Sequence, residues 1–202
     1  MVGGMSNRNR HATLAVLFVL LSACESSTPP DEEASGTELL ELAGHRALQD
    51  MWTERSVDSF TTDGCSGGMS AAWRVVADYF PEFAENNGVQ PPWEACCVTH
   101  DRAYHAGGRE ASAEAGFAAR LAADERLRAC VLETGTERAG TLAERYETAP
   151  EEIVEAYQAI GESMFLAVRL GGAPCSGLPW RWGYGSPQCV VVVDDFQADG
   201  DP

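Results

Sequence analysis

Hydrophobic positions recur at helical spacing over most of the chain. The spacing predicts helices over residues 35–51, 70–80, 93–106, 110–132 and 151–170. Ser35 and Glu38 have capping-box spacing at the start of the first helix, and Pro81 stops the second. The glycines at 107–108 end the third helix, and the fourth is expected to close near Gly135. These elements predict an all-α fold.

The chain after Gly171 has a different pattern. Gly, Pro and aromatic residues are frequent there, and Cys189 leads into the apolar run 190–193, which predicts a small β-hairpin. Its aromatic residues suit either of two places. Trp180, Trp182 and Tyr184 would insert at a lipid interface, or they would form the packed core of the hairpin.

The first residues of the chain have the features of an export signal. Arg8 and Arg10 precede an apolar run of about ten residues, roughly half the length of a bilayer-spanning helix. The run ends in Leu-Ser-Ala before Cys24, which is similar to a bacterial lipobox, whose cysteine becomes the lipidated first residue. We expect residues 1–23 to be a lipoprotein signal peptide. An ordinary signal cut near Ala23 or a short anchor helix are the alternatives.

Residues 24–36 are polar and acidic and contain two adjacent prolines, so we expect a flexible tether. Acyl chains on Cys24 would hold the exported protein on a membrane of the cell envelope. Glu25 follows the cysteine. It is not the Asp that many lipoproteins retained in inner membranes carry, which favours the outer membrane if the host is Gram-negative.

Composition excludes some partners. The net charge is −17, and all 14 basic residues are Arg. Binding to nucleic acid or to anionic lipid by charge needs a basic patch, and none is visible in the sequence. An apolar content of 45% is normal for a globular domain, which we assign to residues 37–202. Lipidation of one of the seven cysteines leaves six for this domain.

The residues that carry chemistry are concentrated in the segment CCVTHDRAY, 96–104. On a helix, Cys97, His100 and Tyr104 lie on nearly one face, and Asp101 is beside them. The next predicted helix places Asp124 in the middle of an apolar stripe. A buried carboxylate needs a hydrogen-bonded partner, and His100 is the obvious one. That pairing would fix the tautomer of the imidazole and leave its other nitrogen to accept a proton from water.

The pattern C-C-x-x-H-D-x-x-Y resembles the active-site helix of the secreted phospholipase A2 superfamily. The preceding segment DGCSGG, 63–68, is similar to its calcium-binding loop in bacterial members, and Cys130 lies six residues after Asp124, as in the family's second helix. The resemblance covers residues 61–133, which we take as the motif core. It implies disulfide-linked antiparallel helices with a calcium loop, whereas residues 136–202 form an extension without a counterpart.

The resemblance implies a role for each matching residue. His100 would be the base that activates water, Asp124 would orient it, and Tyr104 would support Asp124. Ca²⁺ is the implied cofactor, and its implied ligands are Asp63, Gly64, Ser66, Gly68 and Asp101. Ser66 and Met69 stand where many relatives have Gly. Residues 65–97 contain a longer insertion than most members have.

The implied reaction is calcium-dependent hydrolysis of the sn-2 acyl ester of glycerophospholipids at a membrane interface, by a monomer. The alternative is a non-catalytic lipoprotein that keeps the same scaffold to bind lipid. The presence of both His100 and Asp101 favours the enzyme.

The resemblance also implies the disulfides Cys65–Cys97 and Cys96–Cys130, which leaves Cys175 with Cys189. The first would tie the loop to the active-site helix, and the second would tie the two helices together. Zinc is the alternative use of Cys96, Cys97 and His100, together with Asp101 and His105. Export to an oxidising compartment argues against thiolate ligands. His45 and His105 are expected to be solvated.

The predicted lipoprotein signal is tested by replacing Cys24. In the host, Cys24→Ser should abolish lipidation, change the mature mass and release the protein from the membrane fraction. Mass spectrometry and detergent phase partition measure both effects. Unchanged mass, cleavage site and membrane association would show that the lipobox interpretation is wrong.

Overall fold

The computed structural model of this chain describes residues 30–51, 57–65 and 68–191. The chain divides into two units, Met1–Ser35 and Gly36–Pro202, and all side-chain packing reported below lies within the second. Six helices and no strand occur in these ranges. Their bounds are α1 Pro30–Asp50, α2 Met69–Tyr79, α3 Pro81–Asn87, α4 Glu94–Ala106, α5 Ala113–Tyr146 and α6 Pro150–Gly171. The all-α prediction is therefore confirmed.

The helix boundaries agree with the hydrophobic pattern in most places, with two differences at the N-terminal side. Helix α1 begins at Pro30, within the segment 24–36 that was predicted to be a tether. Helix α3 was not predicted. Pro81 does end α2, but its fixed φ also suits a first helical turn, so a second helix starts there after Phe80 leaves helical geometry. The signal peptide and Cys24 lie outside the described residues.

Helices α5 and α6 form the main antiparallel pair, and α4 lies antiparallel to α5. The late part of α5 contacts the early part of α6, where Arg138 donates to Tyr157. The early part of α5 contacts the end of α6, where Arg120 donates to the Val168 carbonyl. One apolar cluster lies between these three helices and the predicted calcium loop, 63–68. It contains Cys65, Trp93, Leu127, Val131, Leu142, Tyr157 and Met164. No described helix is long and apolar enough to cross a membrane.

The predicted end of the fourth helix near Gly135 is wrong, because α5 continues to Tyr146. Gly135 is buried, and a Cβ on it would lie 2.3 Å from the Cβ of Tyr157. The glycine is therefore a position where α6 approaches α5 closely, and not a helix terminator. The local sequence does not distinguish a glycine that ends a helix from a glycine at a contact between two helices.

Three disulfides link the elements, and they are the three expected pairs. Cys65–Cys97 ties the loop to α4, Cys96–Cys130 ties α4 to α5, and Cys175–Cys189 closes the C-terminal segment. All six cysteines of the described residues are used in this way, so none of the six is left as a thiolate ligand for zinc.

The C-terminal segment consists of turns over residues 172–191, and no strand is present in that part. The predicted hairpin is thus not seen, and its residues 192–193 lie outside the described range. Trp182 is 2% exposed and packs with Leu48 and Tyr104, so this aromatic residue belongs to the core. Trp180 and Tyr184 are only half-buried.

The role of Gly135 can be tested by two matched substitutions in α5. Gly135→Ala should destabilise the protein by roughly 1–3 kcal/mol, since the added methyl group collides with Tyr157. Gly140→Ala should stabilise it by about 0.5–1 kcal/mol, because Gly140 is exposed and a Cβ there has nothing within 4 Å. Denaturant unfolding with intact disulfides measures both; changes of equal sign would contradict the assignment.

Candidate active site

Helix α4 carries three buried polar side chains on one face. The exposed fractions are 7% for His100, 7% for Asp101 and 1% for Tyr104. Both disulfides of the motif core enter this helix, at Cys96 and Cys97, and so hold its first turn against the loop and against α5. The face that carries His100 is thereby directed toward α5.

Helix α5 supplies the partner of His100. Asp124 is fully buried, and its Oδ1 lies 2.8 Å from His100 Nε2 and 2.7 Å from the Tyr104 hydroxyl oxygen. An ionised carboxylate only accepts hydrogen bonds, so both neighbours donate to it. In the neutral ring the proton is therefore on Nε2, and Nδ1 keeps a free electron pair. The structure thus brings together the three residues that the sequence predicted as a catalytic group.

The other side of the imidazole faces Asp101. His100 Nδ1 lies 3.9 Å from Asp101 Oδ1, while Asp101 Oδ2 accepts a hydrogen bond of 2.5 Å from the Thr62 hydroxyl. Burial disfavours the charged ring, but its contacts with Asp101 and Asp124 outweigh burial and raise the pKa of His100 above 6.5. A cation at Asp101 would act in the opposite direction.

Tyr104 remains a hydrogen-bond donor in this group. Burial raises the pKa of Tyr104 far above its ordinary value, and the Asp124 carboxylate adds to the effect. The hydroxyl therefore stays protonated and donates to Asp124.

Beyond Asp124 lies a buried set of charges from α1, α5 and α6 that sequence analysis missed. Arg120 is fully buried, and its guanidinium pairs with Glu41 at 2.5 Å. Arg169 pairs with Glu41 at 2.6 Å and with Asp124 at 3.1 Å. The two arginines and the two carboxylates balance in charge, which allows all four to be buried or nearly so.

A sequence signal for Arg120 existed, since it lies four residues before Asp124 and so on the same face of α5. Glu41 and Arg169 had no such signal, because nothing local relates them to position 124.

The expectation that His45 is solvated is wrong. His45 is 1% exposed, and its Nε2 lies 3.5 Å from Glu41 Oε1. His105 is half-buried between Phe60 and Tyr184.

The predicted calcium loop is held by hydrogen bonds from α2 and α4. Gly64 has φ of +84°, and a Cβ on it would lie 2.7 Å from Ser70 Oγ, so both conformation and space require glycine. The Ser70 hydroxyl oxygen accepts from Cys65 N–H, and the hydroxyl donates to Glu94. Gly68 precedes α2 with φ of +86°. Ser66, a predicted ligand, lies outside the described residues.

A cavity of about 280 Å³ opens beside Asp101. One wall is polar, with Thr61, Thr62 and Asp63, and the other is formed by the C-terminal residues Pro179, Trp180 and Tyr184. The Tyr184 hydroxyl donates to the Thr61 carbonyl at 2.7 Å, which joins the two walls. The extension that had no counterpart in the motif therefore completes the cavity.

The donors at this cavity fit calcium in kind. Asp63 and Asp101 both line it, and their carboxylate oxygens are hard ligands of the kind that Ca²⁺ takes. Within the described ranges, no group of three or more His, Cys, Asp or Glu side chains is arranged to hold a metal ion. A cation here would thus depend on carbonyl oxygens as well as on the two carboxylates.

No family model, curated protein or solved structure matches this chain. The geometry of the residues is therefore what bears on its chemistry.

The buried charges should make stability depend on Glu41 and on pH. Burial raises the pKa of Glu41, but His45, Arg120 and Arg169 outweigh burial and lower it below 4.5. Glu41 therefore contributes stability that is complete above about pH 4.5 and is lost as the pH falls through its lowered folded pKa. Glu41→Gln should be destabilised at neutral pH by roughly 3–5 kcal/mol, because two arginines lose their anion, and the difference from wild type should shrink in acid.

Denaturant unfolding from neutral pH to below pH 4.5 measures how much the substitution lowers the free energy of unfolding. Glu162→Gln is the matched control, since Glu162 pairs with Arg128 at the surface and such pairs contribute only about 0–1 kcal/mol. A Glu41→Gln deficit that is constant with pH would contradict the argument.

Proposed function

We propose that this protein is a calcium-dependent hydrolase of the phospholipase A2 type that cleaves the sn-2 acyl ester of glycerophospholipids. The observation that carries the proposal is the arrangement of His100. Its Nε2 is held by a buried carboxylate, and its Nδ1 is directed toward Asp101 at the edge of an open cavity. This arrangement suits a general base next to a site for a polarising cation.

In the proposed reaction, His100 Nδ1 accepts a proton from a water molecule as the water oxygen attacks the ester carbonyl. The Asp124 carboxylate stabilises the imidazolium that forms, and Tyr104 keeps its hydrogen bond to Asp124. The imidazolium then returns the proton to the alkoxide oxygen of the leaving lysophospholipid, and the fatty acid is released. Base catalysis of this kind contributes roughly 10²–10⁴-fold to the rate.

A bound Ca²⁺ would polarise the ester carbonyl and would neutralise the substrate phosphate. The residues that would hold it are Asp101, Asp63 and the carbonyl of Gly64, with Ser66 and Gly68 as further expected ligands. Pro179, Trp180 and Tyr184 would face the less polar part of the substrate across the cavity. Lipidation at Cys24 would keep the cavity near its bilayer substrate.

The proposal predicts that two neighbouring residues fail in different ways. His100→Gln should lower fatty-acid release roughly 10²–10⁴-fold at every calcium concentration, because the proton acceptor is lost. Asp101→Asn should raise the calcium concentration needed for activity, with partial rescue by excess Ca²⁺, because one ligand charge is lost. Asp124→Asn should give an intermediate loss, since it misorients the ring.

Release of fatty acid from mixed phospholipid vesicles, with Ca²⁺ or with chelator, measures these effects. His105→Gln is the matched control, because it makes the same replacement on α4 at a ring that contacts Phe60 and Tyr184 instead of Asp124. Wild-type hydrolysis by His100→Gln would refute the assigned base, and hydrolysis that ignores chelator would refute the calcium site.

A further inference from the structure

The two oxygens of Asp124 have different partners. Oδ1 accepts from His100 and Tyr104, both on α4. Oδ2 accepts from Arg169 Nη1 at 3.1 Å, and Arg169 belongs to α6, far outside the motif core 61–133. A carboxylate held at one oxygen can still turn about its Cβ–Cγ bond. Contact at the second oxygen fixes the plane of the group and therefore the direction in which Oδ1 faces the imidazole.

Arg169 is itself held in place by a residue of α1. Its Nη2 lies 2.6 Å from Glu41 Oε2, so one planar guanidinium joins the carboxylates of Glu41 and Asp124. Its backbone carbonyl accepts from the Arg120 guanidinium at 2.8 Å, and Arg120 also pairs with Glu41. Arg169 is 18% exposed and Glu41 6%, so solvent screens this pair much less than a surface pair.

We propose that Arg169, anchored by Glu41, is a positioning residue that fixes Asp124 against His100; its consequence for catalysis rests on the hydrolase function proposed above. The pair of His100 and Asp124, the dyad, is then completed by α1 and α6, which lie outside the motif core. Arginine suits the task because its rigid fork reaches two carboxylates at once. A lysine ammonium would keep the charge but would not fix the plane of the carboxylate in the same way.

The structure offers a matched control for this arginine. Arg128 also pairs across α5 and α6, with Glu162 at 3.3 Å, but the two side chains are 38% and 47% exposed and neither pairs with His100 or Asp124. Arg128→Gln therefore removes the same charge from the same pair of helices without touching Asp124.

The first experiment measures kcat, KM and the half-saturating calcium concentration on a short-chain phospholipid kept below its micelle concentration. Arg169→Gln should lower kcat roughly 10–100-fold, the usual cost of losing a residue that orients a reactive group through a second residue. KM and the calcium requirement should change less than about two-fold, because Arg169 contacts neither the cavity nor Asp101. Arg169→Lys should recover part of kcat, Glu41→Gln should lower it less, and Arg128→Gln should leave it unchanged.

The second experiment does not depend on hydrolysis. NMR of the ¹⁵N-labelled imidazole in the folded protein reports the tautomer of His100 and the solvent exchange of its Nε2 proton. Arg169→Gln should accelerate that exchange by about ten-fold or more and mix the tautomers, whereas Arg128→Gln should match wild type. If the wild type released no fatty acid, the hydrolase proposal would fail, while this readout would still decide the positioning role.

The outcomes separate positioning from a merely structural role. An Arg169→Gln protein with wild-type kcat and unchanged exchange would overturn the proposal. A loss of kcat that Arg128→Gln reproduces would overturn it too. The same holds if the loss of kcat among the variants is explained entirely by their lower thermal unfolding midpoints. Should Arg169→Gln fail to fold, Arg169→Lys keeps the buried charge and gives the same two readouts.

Discussion

The buried carboxylate of Asp124 is the constraint on which the rest of this structure depends. It is completely removed from solvent, and an unpartnered charge in such a place costs several kcal/mol. Its oxygens are therefore surrounded by His100 and Tyr104 from α4 and by Arg169 from α6. The arginine in turn requires Glu41, which brings in α1. One charged group thus fixes the relative placement of four helices.

Covalent and steric features hold those helices at the distances that this polar network needs. Two disulfides connect α4 to the loop and to α5, so His100 cannot move away from Asp124 without strain at both ends of the motif core. Gly135 permits α6 to approach α5, and that approach places Arg169 near Asp124 at the other end of the same helix pair. The apolar contacts between α5 and α6 and the buried ion pairs therefore support each other.

The same arrangement separates two environments around one imidazole. The Nε2 side is closed and hydrogen-bonded to the buried Asp124 carboxylate, whereas the Nδ1 side faces Asp101, which lines the cavity. The proposed proton transfer needs this asymmetry, because one nitrogen has to be fixed while the other would meet water and substrate. The C-terminal segment contributes to the open side, where its disulfide and the Tyr184 hydrogen bond hold an aromatic wall against the loop.

The sequence by itself determined the features that depend on neighbours along the chain. Helical periodicity located α2, α4 and α6, and the spacing within the CCxxHDxxY segment placed Cys97, His100 and Tyr104 on one helix face, because residues three, four and seven apart share a face. The need of a buried carboxylate for a partner paired Asp124 with His100, and the disulfides were implied by the resemblance to a known family and not by spacing. Tertiary structure decided what depends on distant neighbours. Gly135 is a contact point and not a terminus because Tyr157 packs on it, His45 is buried because Glu41 and Trp182 lie beside it, and the aromatic segment after Gly171 forms turns. Glu41 and Arg169, 128 residues apart, become one ion pair only because α1 and α6 meet at Asp124, and no local pattern encodes that meeting.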